Sequence, residues 1–172
     1  MNYRNRQRIW AHAAQIDAVN SLGDFDNEPV VLLRDAEATL PDGEVVTWRG
    51  PNNYLEAGLV DAVRTCGKQL SDIAVLTITR TMAERLAGAL EAVGIPICLL
   101  ENYDGTSCDA VKVGTIHRAK GLDFAAVLHP AEPRPPEPLT GPERDRAAIA
   151  ARRQLVAITR ARDYVWIGIR EA

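Results

Sequence analysis

The chain has 172 residues, 47% hydrophobic and 25% charged, which suits one α/β domain, or one with a short appendage, able to bury a core without staples. No run of eighteen apolar residues occurs, and no apolar stretch follows the basic N-terminus, which argues against a membrane span and a secretory signal. Cys66, Cys98 and Cys108 match no zinc spacing and read as reduced thiols of a cytosolic protein, while a net charge of -3 and a pI near 5.6 argue against a broad surface for nucleic acid, so any such contact must be local.

In chain order, Asn5 to Ser21 reads as a helix, with Ile9, Ala13 and Ile16 on one face. A turn-rich break follows, and then two expected strands, Pro29 to Arg34 and Glu44 to Trp48, separated by Pro41-Asp42-Gly43. Asn52 and Asn53 are expected to cap a helix whose apolar face is Leu55, Leu59, Val63 and Cys66, closed by Gly67. Ile73 to Ile78 is a continuous apolar run of strand length, as a strand covered on both faces requires. Thr81 opens the next helix, Met82, Leu86, Leu90 and Val93 aligning before Gly94, and Ile95 to Leu100 is the strand beyond it.

Val111 to Thr115 and Ala125 to Leu128 are two more expected strands, on either side of the hydrophilic His117-Arg118-Ala119-Lys120-Gly121. Six prolines within Pro130 to Pro142 forbid a helix or a central strand, which makes 130–142 a semi-rigid surface loop. A last helix is expected from about Glu143 to Arg160, and a last strand from Asp163 to Ile169. Short apolar strands alternating with amphipathic helices predict a mainly parallel sheet with right-handed crossovers and helices on both faces.

Three segments carry chemistry-bearing side chains: Asn2-Tyr3-Arg4, Gly114 to Phe124 (GTIHRAKGLDF) and Val156 to Asp163 (VAITRARD). Ligands of parallel sheets bind outside the carboxyl ends of strands, and Thr115 to Gly121 leaves a strand at such an end. The chain contains no G-x-x-x-x-G-K-[ST] and no Asp-Glu pair after a strand, so it lacks a phosphate cradle and magnesium ligands of its own.

VKVGTIHRAKGLDFAAVLH resembles motif V of the UvrD/Rep-type superfamily 1 DNA helicases, and RRQLVAITRARDYVWI resembles their motif VI. Asn2-Tyr3-Arg4 matches the N-Y-R of motif IV, and IAVLTITRTMAERLAGALEAVGIPICLL is similar to the strand-helix-strand between, so the likeness spans almost the whole chain in the family's order. It implies a three-layer RecA-like domain over residues 1–172, the second of two motor domains, with 1–22 as a linking helix from the preceding one. Only ten residues separate Leu100 from Val111, where larger members insert an accessory domain, so the chain resembles the compact branch.

The resemblance also implies roles. Arg160 would be an arginine finger for the γ-phosphate of an ATP held, with Mg2+, mainly by a P-loop domain; without the resemblance it reads as one arm of a surface ion pair. Arg4 would be a second γ-phosphate contact and Tyr3 would stack on the adenine. Asp123 stands where the family uses glutamate against the ribose, one methylene short, and Gly121 is expected to supply a positive φ or a close approach. Thr115, His117 and Arg118 would grip a single-stranded DNA backbone, His117 having a structural role as its alternative; Arg80 is either a phosphate contact or a solvated arginine at a helix start. Alone, such a domain should not hydrolyse ATP, and movement would run 3′ to 5′. The rival reading is a non-catalytic module for nucleic acid or protein; a Rossmann-type enzyme lacks its G-x-G-x-x-G.

Overall fold

The structure, a computed structural model, describes residues 2–19, 38–40, 42–132 and 140–171, the side chains of 2–4, 17–19 and 38–40 excepted. In chain order the elements are β1 (Asn2–Arg6), α1 (Gln7–Val19), β2 (Ala38–Leu40), β3 (Glu44–Pro51), α2 (Leu55–Thr65), β4 (Ile73–Thr77), α3 (Arg80–Ala92), β5 (Ile97–Leu99), β6 (Val111–Thr115), β7 (Phe124–Ala131), α4 (Gly141–Ile158) and β8 (Ala161–Glu171). Strands β3 to β8 form one sheet in the order β3-β8-β7-β4-β6-β5, every pair parallel. The short β1 and β2 pair with each other, also in parallel.

Each face of the large sheet has its own core. Ile73 and Val75 of β4, with Leu128 and Trp166, point toward α2 and α3, meeting Leu55, Leu59, Leu86 and Leu90. Ala74 and Leu76, with Val127, Val165 and Ile167, point the other way, toward Ile9 and Ala13 of α1 and Ala157 and Ile158 of α4. Because both faces are covered, β4 is buried throughout, which is why its sequence runs apolar without alternation.

The helix ends follow local chemistry. Thr79 caps α3, its hydroxyl accepting from Met82 N at 3.3 Å. At the other end Ile95 N donates to Leu90 O and Gly94 N to Glu91 O, the paired bonds of a Schellman turn. That turn uses Ile95, so the expected strand from Ile95 to Leu100 contracts to Ile97–Leu99. At α4 the Glu143 carboxylate accepts from Thr140 N at 2.8 Å, and the helix begins two residues earlier than expected.

Three further expectations change, and one falls outside the described residues. Asn2–Arg6 is a strand, so the first helix starts at Gln7 and the expected helical linker over 1–22 is helical only from there; pairing with the distant Ala38–Leu40 overrides local propensity. Asn52 and Asn53 lie in a 3-10 turn ahead of α2 and neither caps it; Tyr54 takes that position without a side-chain bond. Pro130 and Ala131 are buried in β7 and not in a surface loop, Pro130 lying beyond Leu128, the last β7 residue paired with β4. The expected strand Pro29 to Arg34 and residues 133–139 of the proline-rich segment lie outside the described residues.

Candidate functional site

Topology brings the marked segments together. Strands β6 and β7 flank β4 and run the same way, so the chain leaving β6 at Thr115 must return across a sheet face before entering β7 at Phe124. It does so through a 3-10 turn, Ile116–Ala119, whose Ile116 and Ala119 are buried in the same core as Ala157 and Ile158 of α4. His117, Arg118, Lys120, Gly121 and Asp123 are left exposed along this crossover. Gly121 has φ +82 and open space at its Cβ position, so it serves the turn and not a close approach.

At the amino-terminal edge of β7 the crossover meets the end of α4. Phe124 N donates to Arg160 O at 2.9 Å, and Arg160 N donates to Ala157 O at 3.2 Å. The Arg160 side chain is half-buried, its Nε donating weakly to Val156 O at 3.4 Å. The first strand comes to the same place through Asn5, 2% exposed, whose Nδ2 donates to Thr159 O at 3.1 Å and Ala161 O at 2.5 Å. Asn5 is the residue that sequence reasoning missed; its partners lie 154 and 156 positions away, and no local pattern marks it.

An ion-pair group secures the same edge. Arg6 Nε lies 2.5 Å from Asp163 Oδ1, Lys68 Nζ lies 3.7 Å from Asp163 Oδ2, and Arg162 pairs with Asp72 at 2.7 Å. Partial burial pushes the Asp163 carboxyl up, but the Arg6 hydrogen bond and the charges of Lys68, Arg6 and Arg162 outweigh it and hold the group below its ordinary value.

Thr115 and Arg80 sit at the opposite, carboxyl-terminal edge, where they line one shallow depression between α3 and β6. Arg80, its side chain 70% exposed, pairs with Glu84 at 2.8 Å and Glu101 at 3.5 Å, so two carboxylates compete with any anion for that guanidinium. The expected residues therefore divide between two edges: Arg160, Asp123 and the Asn2-Tyr3-Arg4 strand at one, Thr115 and Arg80 at the other, the crossover joining them. The side chains of Tyr3 and Arg4 lie outside the described residues.

Among the described residues no group of three His, Cys, Asp or Glu side chains could hold a metal ion, and no helix is long and apolar enough to cross a membrane.

Among solved structures the chain is similar to the C-terminal domain of a possible DNA helicase from Lactobacillus plantarum WCFS1, at a TM-score of 0.62 and 20% identity over 99% of this chain and 88% of that one. It is similar also to the E. coli DEAD-box protein SrmB, solved bound to regulator of ribonuclease activity A, at a TM-score of 0.49 and 15% identity over 75% of this chain and 77% of the other. No protein-family model and no curated protein sequence matches it. The likeness to the Lactobacillus domain shows the fold: a RecA-like α/β domain, with a six-stranded parallel sheet flanked by helices, of the kind found in helicases.

Proposed function

We propose that this chain is the second motor domain of an ATP-dependent DNA helicase of the UvrD/Rep type, completing an ATP site whose phosphate cradle and Mg2+ belong to a P-loop domain in the same chain or a partner. One observation carries the reading: three segments far apart in sequence, Asn2–Arg6, the crossover ending at Phe124 and the turn at Arg160, are tied by hydrogen bonds at one sheet edge. Convergence of this kind is needed if one nucleotide is to feel all three.

In this reading ATP held by the P-loop half draws the two domains together. Arg160 and Arg4 contact the γ-phosphate, Tyr3 stacks on the adenine, and Asp123, on the turn that Gly121 permits, faces the ribose. Each guanidinium supplies a charge-assisted hydrogen bond worth about 1.5–3 kcal/mol, lost when the γ-phosphate leaves. Thr115, His117 and Arg118 hold the single-stranded DNA backbone, so closure at one edge is passed along the crossover to the other. Arg80 joins them only on release from Glu84 and Glu101.

The test is ATP turnover of the complete motor with Arg160→Ala. A finger arginine contributes ~10³–10⁵ in rate. The reading predicts a loss of at least ~10³-fold with single-strand binding retained; a loss below tenfold with binding intact removes Arg160 from the reaction.

A further inference from the structure

Asn5 is one of the few polar side chains buried among the described residues, at 2% exposure. It sits one position after the Asn2-Tyr3-Arg4 segment, inside β1, and its amide reaches across to the end of α4. There Nδ2 donates to the carbonyls of Thr159 and Ala161, the two residues that bracket Arg160. The chemistry selects asparagine narrowly. Two carbonyl oxygens converging on one atom require an NH2 group with two hydrogens; serine has one, aspartate has none at neutral pH, and glutamine is a methylene longer.

The Arg160 backbone is held on its other sides as well: its N–H by Ala157 O, its C=O by Phe124 N. With Asn5 in place, all three consecutive carbonyls from Thr159 to Ala161 accept a hydrogen bond, from β1 or from the start of β7. The guanidinium is then carried on a fixed backbone, its Nε donating to Val156 O. We infer that Asn5 is a positioning residue that fixes Arg160 and couples it to the strand carrying Tyr3 and Arg4, so that the two arginines meet the γ-phosphate as one unit. This rests on the reading of Arg160 as the γ-phosphate contact. The Arg6–Asp163 pair is the outer tie of the same joint.

The experiment compares Asn5→Ala and Asn5→Asp with the unaltered protein. Aspartate keeps the size of the side chain while setting oxygens against oxygens, so its effect should equal or exceed that of alanine; if it does not fold, alanine carries the test. Hydrogen exchange on the 172-residue chain should quicken at least tenfold at Phe124 and across 157–163, with 73–77 unchanged. In the complete motor, kcat should fall at least tenfold while KM for ATP stays within twofold, and Asn5→Ala combined with Arg160→Ala should turn over no more slowly than Arg160→Ala alone. Unaltered exchange at Phe124, an equal quickening within 73–77, or loosened exchange with undiminished kcat each overturns the inference. Arg160→Ala with normal turnover instead removes the nucleotide reading itself, a different result from a failure at Asn5.

Discussion

At the scale of single residues, His129 shows how burial sets chemistry. It lies in β7, 1% exposed, with Nδ1 at 2.7 Å from Leu76 O, so Nδ1 carries the proton and donates. Burial drives its pKa down to about 4 from 6.5, the Leu76 carbonyl only partly opposing the fall. The folded state thus holds the ring neutral, while the unfolded chain takes up a proton below about pH 6.5. Stability from this residue is complete above pH 6.5 and is lost as pH falls toward 4, roughly 2–3 kcal/mol having gone by pH 4.5. Urea unfolding at pH 7 and pH 4.5 should show that loss, and His129→Gln should remove most of the difference between the two. Gly114 makes a steric case. A Cβ there would stand 2.7 Å from Leu100 Cβ, a rigid atom, so Gly114→Ala should cost about 1–3 kcal/mol by the same measurement.

At the scale of elements, apolar burial and charge can be weighed against each other where α2 meets α3. Arg85 and Glu56 form an ion pair across the two helices, partly open to solvent, and such pairs are worth about 0–1 kcal/mol. Leu86 and Leu90, fully buried beside Leu55 and Leu59, each contribute several times more. Leu86→Ala should therefore lower unfolding stability by about 2–5 kcal/mol, and Glu56→Ala by less than about 1 kcal/mol. Comparable losses from the two would mean that the helices are held by charge. The same balance explains what could be read in the sequence. α2 and α3 announce themselves by helical spacing, and β4 and β8 by apolar runs, because local pattern and burial agree in them. β1 does not, since its partner is Ala38–Leu40, more than thirty positions on. Pro130 misled in the opposite direction, a residue unsuited to a central strand standing where the ladder with β4 has ended and only that with β8 continues.

At the scale of the whole molecule, net charge conceals how the charges are distributed. The chain is -3 overall, yet seven basic residues, Arg118, Lys120, Arg144, Arg146, Arg152, Arg153 and Arg160, lie on the crossover, on α4 or at its end, against three acidic ones there, Asp123, Glu143 and Asp145. Motif spacing marked the segments and their order but not that they occupy two edges of the sheet, because an eight-residue crossover fixes that only once β6 and β7 are known to flank β4. In the proposed function, one edge of the sheet completes a nucleotide site built elsewhere. Its most direct test is affinity of this chain for its P-loop half in the presence of ADP, with and without aluminium fluoride, which imitates the transferring phosphoryl group. Association should be at least tenfold tighter with the fluoride, the gain vanishing in Arg160→Ala. Equal affinity under the two conditions, or an undiminished gain without Arg160, would contradict it.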